Sequence, residues 1–380
     1  MSNEINSFSL AVSDAEIADL KTRLAQTRWP DSDPAGDWSR GVPLDYLRGL
    51  AAYWADGFDW RKAEAALNRL PQFTTEIDGQ VFHFAHLKSR HSGAFPLVLC
   101  HGWPGSFVEF AGIAEALANP DDPAEAFDVI IPSLPGFGYS KPLSCAGWGM
   151  PESTRAYATI MERLGYARYG AHGSDIGAGI AGHLASYFPD RLTGVHVASD
   201  QQTLVHAGVY LPLPADLSDK EKAELDAIKA GLRDGDGYMR QQQGKPQTLA
   251  YGLADSPVGQ LAWIAEKFRE WTDPKKALPD QAVERDALLT NIALYWFTNS
   301  GGSSAQFYWE TAHAKTGWTA PSGVPTGWAV FNTHPLMRRI MDAENKIAHW
   351  TEFTSGGHFP AMEQPKLLVE DIRKFFRRLR

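Results

Sequence analysis

Cysteine is nearly absent from this chain of 380 residues, with Cys100 and Cys145 the only two. Two cysteines build no disulfide framework and these lack zinc-site spacing, so they read as ordinary buried thiols in a reducing compartment. Positive charge is also scarce: 36 Lys and Arg face 45 Asp and Glu, for a net charge of −9. The one basic cluster (Arg373, Lys374, Arg377, Arg378, Arg380) is broken by Phe375, Phe376 and Leu379. That pattern argues against a phosphate-binding surface, and no nucleic-acid partner is expected. Nowhere does an apolar run reach the ~18 residues of a membrane-spanning helix. Residues 1–30 lack both a basic start and the apolar stretch of a signal peptide. The chain therefore reads as soluble and cytoplasmic, with no membrane anchor.

What is present is globular. Hydrophobic residues make up 44% and aromatics 12%, including 13 Trp, enough for both a core and an aromatic-lined pocket. SDAEIADLKTRLA (13–25) carries a Ser cap, Glu16 three residues later and helical apolar spacing. Further helical patterns follow at 43–56 and 60–69, and then the period changes. FTTEIDGQVFHFAHL (73–87) has Asp78-Gly79 between two alternating runs, the signal of a hairpin. Beyond it, 96–100, 127–132, 167–173, 192–199, 326–331 and 346–353 read as strands separated mostly by helices. This alternation predicts an α/β fold with a mostly parallel sheet covered on both faces. One interval, 201–290, is mainly charged helical pattern and is expected to be a helical cap over the sheet's carboxyl edge. The organisation is then an N-terminal helical arm and first strands (1–90), a core in two parts (91–200 and 291–380), and the cap between them.

The chemistry concentrates in RYGAHGSDIGAGIAGHLASYFPDRL (168–192), which runs from strand through turn into helix and admits three readings. A nucleophilic Ser174 would need small residues two before and two after, but His172 and Ile176 stand there. Shifted by one, Gly173-Ser174-Asp175-Ile176-Gly177 meets that demand and puts Asp175 at the strained tip as a nucleophile. Gly177-x-Gly179-x-x-Gly182 also matches a dinucleotide fingerprint, with Asp200 18 residues beyond. Against it, Asp175 would sit where a pyrophosphate must bind. The plainest reading makes Asp175 a helix cap. Elsewhere, His101-Gly102-Trp103-Pro104-Gly105-Ser106 offers N–H groups for an oxyanion, and His358 lies in a loop before the last helix. Nucleophile first and distal His last is the chain order of an α/β-hydrolase triad.

HGWPGSFVEF (101–110), SLPGFGYS (133–140), GSDIGAG (173–179), GYMRQQQGKPQTLAYGLADSPVG (237–259) and GGHFPAMEQP (356–365) together resemble the microsomal-type epoxide hydrolases of the α/β-hydrolase superfamily. TRWP (27–30) and DWRKAEAALNRLPQF (59–73) resemble their N-terminal domain. The resemblance implies an Asp175 nucleophile, a His358 base and two cap phenols, Tyr238 and Tyr308, donating protons to the epoxide oxygen. The oxyanion would be held by the N–H groups of Trp103 and Ile176. It also implies a small hydrophobic epoxide as substrate, a detoxifying role, and no cofactor; a homo-oligomer is compatible with it.

Two departures stand out. Ile176 replaces the family's usual Trp, which alters the pocket wall without touching the backbone donor. His334 stands where the family carries its triad acid, and a neutral imidazole does not stabilise an imidazolium as a carboxylate does. Asp200, directly after the 192–199 strand, is the expected replacement, ahead of Glu109, Glu352 and Glu363; its bland role is a helix cap. His83 and His86, three apart on a strand, face opposite sides, so no metal is expected. A dehalogenase sharing the Asp nucleophile, and a non-catalytic binding protein on this fold, are the alternative readings.

Overall fold

The computed structural model describes residues 4–208, 212–231, 233–314 and 322–380. Among them nine strands form one sheet: β1 (Ile5–Phe8), β2 (Gln72–Ile77), β3 (Gln80–Leu87), β4 (Phe95–Cys100), β5 (Phe127–Pro132), β6 (Tyr169–Gly173), β7 (Leu192–Asp200), β8 (Thr326–Phe331) and β9 (His349–Phe353). Their order across the sheet is β1-β2-β3-β5-β4-β6-β7-β8-β9. The expected hairpin joins β2 to β3, with Asp78 (φ 51°) and Gly79 (φ 78°) both left-handed, as a primed turn requires. β1 was not expected: INSF has no usable alternation, and only antiparallel pairing with β2 makes it a strand.

From β5 to β9 every neighbouring pair is parallel. Such strands are buried on both faces, and Leu97, Val98, Leu99, Val129, Ile130 and Ala171 are fully buried accordingly. The C-terminal helix Pro365–Phe376 packs against β7, β8 and the helix Val108–Ala118. Gly170, Gly194 and Gly327, on adjacent strands β6 to β8, leave room for Phe376, Phe375 and Leu379. A Cβ at Gly170 would meet the Phe376 ring at 2.3 Å. The residues that interrupt the basic cluster are thus the anchors of this helix. Arg373 and Arg380 reach the carbonyls of Ala116 and Ala124, and Arg377 pairs with Glu125.

The chain runs from β4 outward to β5, then crosses back to β6 on the other side of β4. The loops after β4 and β6 therefore lie side by side at the carboxyl edge, the switch point where open α/β sheets hold ligands. Above them, helices span most of the interval from β7 to β8, from Asp219–Gly231 to Gly301–His313. The boundary expected at 290 falls inside the helix Arg285–Phe297. Helix Gly301–His313 packs on Gly237–Gly244 and Pro246–Asp255, so closely that a Cβ at Gly302 would meet Ala250 Cβ at 2.4 Å. One expectation is corrected: Cys100 is buried on β4, but Cys145 is exposed, in the loop between β5 and the following helix.

Candidate active site

The turn between β6 and the helix Ile176–Tyr187 is the sharp elbow that the glycine spacing predicts. Asp175 sits at its tip with φ 52° and ψ −128°, a left-handed conformation that costs energy for any residue with a Cβ. The turn is tight: a Cβ at Gly173 would meet the Gly177 carbonyl oxygen at 2.1 Å, and one at Gly177 would meet that of Cys100 at 1.8 Å. Ser174 points away from the edge, its hydroxyl donating to Glu109 Oε1 at 3.1 Å in a buried contact. The dinucleotide reading fails here as well, because the Asp175 carboxylate occupies the helix N-terminus.

The β4 turn faces this elbow. The N–H of Trp103 donates to Asp175 Oδ1 at 2.9 Å, and the N–H of Ile176 also bonds the carboxylate. Gly102 is required by proximity, since its Cβ would meet Asp175 Oδ1 at 2.2 Å. The other oxygen, Oδ2, lies 3.3 Å from His358 Nε2. The backbone N–H of His358 donates to the Trp271 carbonyl (2.8 Å), and its ring lies 5.0 Å from the Trp271 ring. Burial alone would raise the Asp175 pKa, but His358 and the two N–H donors outweigh it and hold the carboxyl below its ordinary range. For His358, burial pulls the value down, and Asp175 and Asp200 together push it well above the ordinary imidazole value.

Asp200 ends β7 with a 3% exposed side chain, its Oδ2 3.3 Å from His358 Nδ1. Its Oδ1 accepts the Gln202 N–H at 2.7 Å. Each oxygen thus has one of the two neighbours at issue, the imidazole on Oδ2 and the following turn on Oδ1. The two contacts of His358 are long, and its Nε2 and Asp200 Oδ2 lack an aligned hydrogen bond. Such looseness is common before a substrate tightens a site. His334 is elsewhere: its ring nitrogen caps the helix Pro335–Met341 and its Nε2 lies 3.5 Å from Glu224. The other acids have their own partners. Glu109 takes the Ser174 hydroxyl, Glu352 the Trp350 indole N–H, and Glu363 the N–H groups of Asp273 and Phe359. Burial pushes Glu109 and Glu363 each up to about 7.

Two phenols close the site from the cap. Tyr238 stacks on Trp103 with ring centroids 5.0 Å apart and planes 6° apart, and Tyr308 meets the same indole edge-on at 5.9 Å. Their hydroxyls hydrogen-bond one another, and burial together with the Asp175 charge keeps both protonated. Trp263 and Trp271 complete an aromatic lining around Trp103, at 6.4 and 6.0 Å. Sequence reading missed Trp271 and also His206, which senses the charges of Asp175, His358 and Asp200. Spacing alone could have flagged Trp263 and Trp271, eight apart on one helix face.

His83 and His86 lie apart as expected, bonded to Ser133 and Gln72, and to Tyr166. A cluster not anticipated is His196, His349 and Asp371, whose ligand atoms lie within 4.8 Å. Both imidazoles already hydrogen-bond the carboxylate at 2.9 Å, tying the C-terminal helix to β7 and β9. An open hollow of about 410 Å³ lined by Trp54, Trp60 and Phe297 belongs to the N-terminal arm and touches none of the groups around Asp175.

Residues 5–110 match the family described as the epoxide hydrolase N terminus, and residues 96–236 match the α/β-hydrolase fold. Over 99% of its length the chain is 42% identical to a Stigmatella aurantiaca protein that carries the provisional name epoxide hydrolase, covering 86% of it. It is 35% identical to epoxide hydrolase 1 of Sus scrofa, with 98% of this chain and 88% of that one aligned. Among solved structures, the juvenile hormone epoxide hydrolase of Bombyx mori superposes with a TM-score of 0.84 at 28% identity, over 100% of this chain and 94% of that one. The Aspergillus niger epoxide hydrolase gives 0.81 at 29%, over 99% and 97%. With the elbow aspartate, the facing imidazole and the phenol pair in place, this chain belongs to the epoxide hydrolase family of the α/β-hydrolase fold.

Proposed function

We propose that the chain opens a small hydrophobic epoxide to a vicinal diol through an ester on Asp175. The observation that carries the reading is the double engagement of one carboxylate: Oδ1 accepts the Trp103 N–H while Oδ2 faces His358. Asp175, held ionised, attacks a ring carbon, and the ring C–O electron pair goes to the oxygen. Tyr238 and Tyr308, both kept protonated, donate to that oxygen as it becomes an alkoxide. Water deprotonated by His358 then attacks the ester carbonyl. Its oxygen develops charge where Trp103 and Ile176 already direct their N–H groups. Asp200 orients the imidazole and stabilises its protonated form.

Trp103, Trp263, Trp271 and the two phenols favour an apolar, uncharged substrate. The same phenols weigh against a dehalogenase, which needs donors for a halide and no acid for an alkoxide. A cytoplasmic location, consistent with two unpaired cysteines, is part of the proposal. The test is a single turnover of styrene oxide in heavy-oxygen water. The first diol should take its oxygen from Asp175, leaving the label in the protein; label in the first-turnover diol would overturn the ester route.

A further inference from the structure

A buried lysine stands behind one of the phenols. Lys267, on the helix Pro257–Trp271, is 2% exposed, and lysines are almost never so buried unless paired. Its Nζ lies 2.8 Å from Glu266 Oε1 and 2.9 Å from Glu270 Oε2. Those pairs do not explain its position, because residues one and three apart on a helix could pair in solvent. What burial adds is a ring contact: Nζ lies 4.9 Å from the Tyr238 centroid and 5.6 Å from that of Trp271. Lys267 is four residues from both Trp263 and Trp271, so it interrupts an aromatic stripe that faces Trp103. Tyr238 thus lies between an indole stacked on it and an ammonium over its ring.

We propose that Lys267 is a positioning residue for ring opening, fixing the Tyr238 ring and stabilising the negative charge that develops on it as its proton passes to the epoxide oxygen. This rests on the reading of Tyr238 given under the proposed function. In the step, the Asp175 oxygen–carbon bond forms as the ring C–O bond breaks. The released electron pair on oxygen takes up the phenol proton, and the phenolate regains one from water before the next turnover. A neutral phenol attracts a cation only through its quadrupole, whereas a phenolate attracts it as a charge. The interaction is therefore stronger in the transition state than before it, which is the condition for accelerating the step. Glu266 and Glu270 oppose this, but their side chains are 35% and 32% exposed against 3% for Lys267, so water screens them more than it screens the ammonium.

The experiment follows alkyl-enzyme formation and decay from styrene oxide by rapid quench and intact mass, in wild type, Lys267→Gln, Lys267→Arg, Tyr238→Phe and Lys267→Gln/Tyr238→Phe. Lys267→Gln, which keeps N–H donors for the two glutamates, should slow ester formation about tenfold, a fraction of the ~10²–10⁴ a general acid supplies. Ester hydrolysis should stay within about twofold, Lys267→Arg should recover most of the rate, and in the Tyr238→Phe background the Lys267 change should cost less than about twofold. An equal loss with and without the Tyr238 hydroxyl, or a wild-type rate in Lys267→Gln, overturns the proposal. If Lys267→Gln unfolds at assay temperature, Lys267→Met is read by the same criteria. Failure of the wild type to form any ester would instead strike the proposed function.

Discussion

Asp200 faces His358 from the end of β7, Oδ2 to Nδ1 at 3.3 Å, while its Oδ1 caps the turn that follows through the Gln202 N–H. One carboxylate therefore meets both the chain's exit from the sheet and the imidazole. Asp200→Asn keeps an acceptor for the cap and loses the charge. Ester hydrolysis should fall by up to about 10⁴-fold, the scale of the equivalent change in a serine-protease triad, and ring opening much less. Asp200→Ala should in addition cost roughly 1 kcal/mol for the lost cap. His334→Ala should leave turnover near wild type, since His334 sits beside Glu224. Steady-state ester by intact mass separates the two: accumulation in His334→Ala but not in Asp200→Asn would reverse the assignment.

Asp175 is best tested by Asn. Asparagine keeps the size and shape of the side chain and removes only its charge, at a backbone (φ 52°, ψ −128°) that is strained for any residue with a Cβ. Asp175→Asn should fold like wild type by circular dichroism and show no ester and no diol. His358→Gln should let the ester form and persist, because alkylation needs no base and hydrolysis does. Peptide mapping should then find the substrate on Asp175 in the His358 variant; unmodified protein after prolonged incubation counts against this division of roles.

The phenols act together. Tyr238 and Tyr308 share a hydrogen bond and the Trp103 indole, so either can partly serve for the other. Replacing both with Phe should slow ring opening by about 10²–10⁴-fold while leaving hydrolysis of a preformed ester nearly unchanged. Ester formation at the wild-type rate in the double variant would remove the proton-donor role.

Much of this site is legible in the residues because tight backbone geometry leaves few options. Only the frame Gly173–Gly177 puts small residues where the elbow meets β4 and the following helix, and that frame selects Asp175 over Ser174. Asp200 could be proposed because it directly follows the 192–199 run, a place where some proteins of the superfamily that the chain resembles carry their acid. The phenols came from resemblance, since nothing in GYM or QFYWE marks a tyrosine that faces a site 60 or 130 residues away in the chain. Lys267 was hidden for a different reason: AEKFREW reads as an amphipathic helix with solvated charges, and only the fold shows that this lysine faces inward. Cys145 and β1 failed likewise on tertiary context, one exposed by a loop and the other formed by its partner strand.

The charge on Asp175 disappears during the reaction, and this sets the pH dependence. In the resting protein, burial lowers the His358 pKa and the two carboxylates more than reverse it. Forming the ester neutralises Asp175 and leaves Asp200 alone against burial, so His358 must be a weaker base in the alkyl-enzyme than in the resting protein. A general base works unprotonated, so ester hydrolysis should rise with pH and level off above the alkyl-enzyme pKa. Its midpoint should lie below the pH at which His358 titrates in the resting protein, read by the imidazole proton resonances. Ring opening should follow a different course, flat through neutral and mildly acidic pH and falling only when Asp175, held below the usual carboxylate range, takes up a proton. Asp200→Asn removes the remaining carboxylate and should shift the hydrolysis midpoint still lower while reducing the plateau. Rapid-quench measurement of the two steps across pH checks all three statements. A hydrolysis midpoint at or above the resting titration would mean that Asp175 does not hold the His358 proton, and that the base must be sought elsewhere.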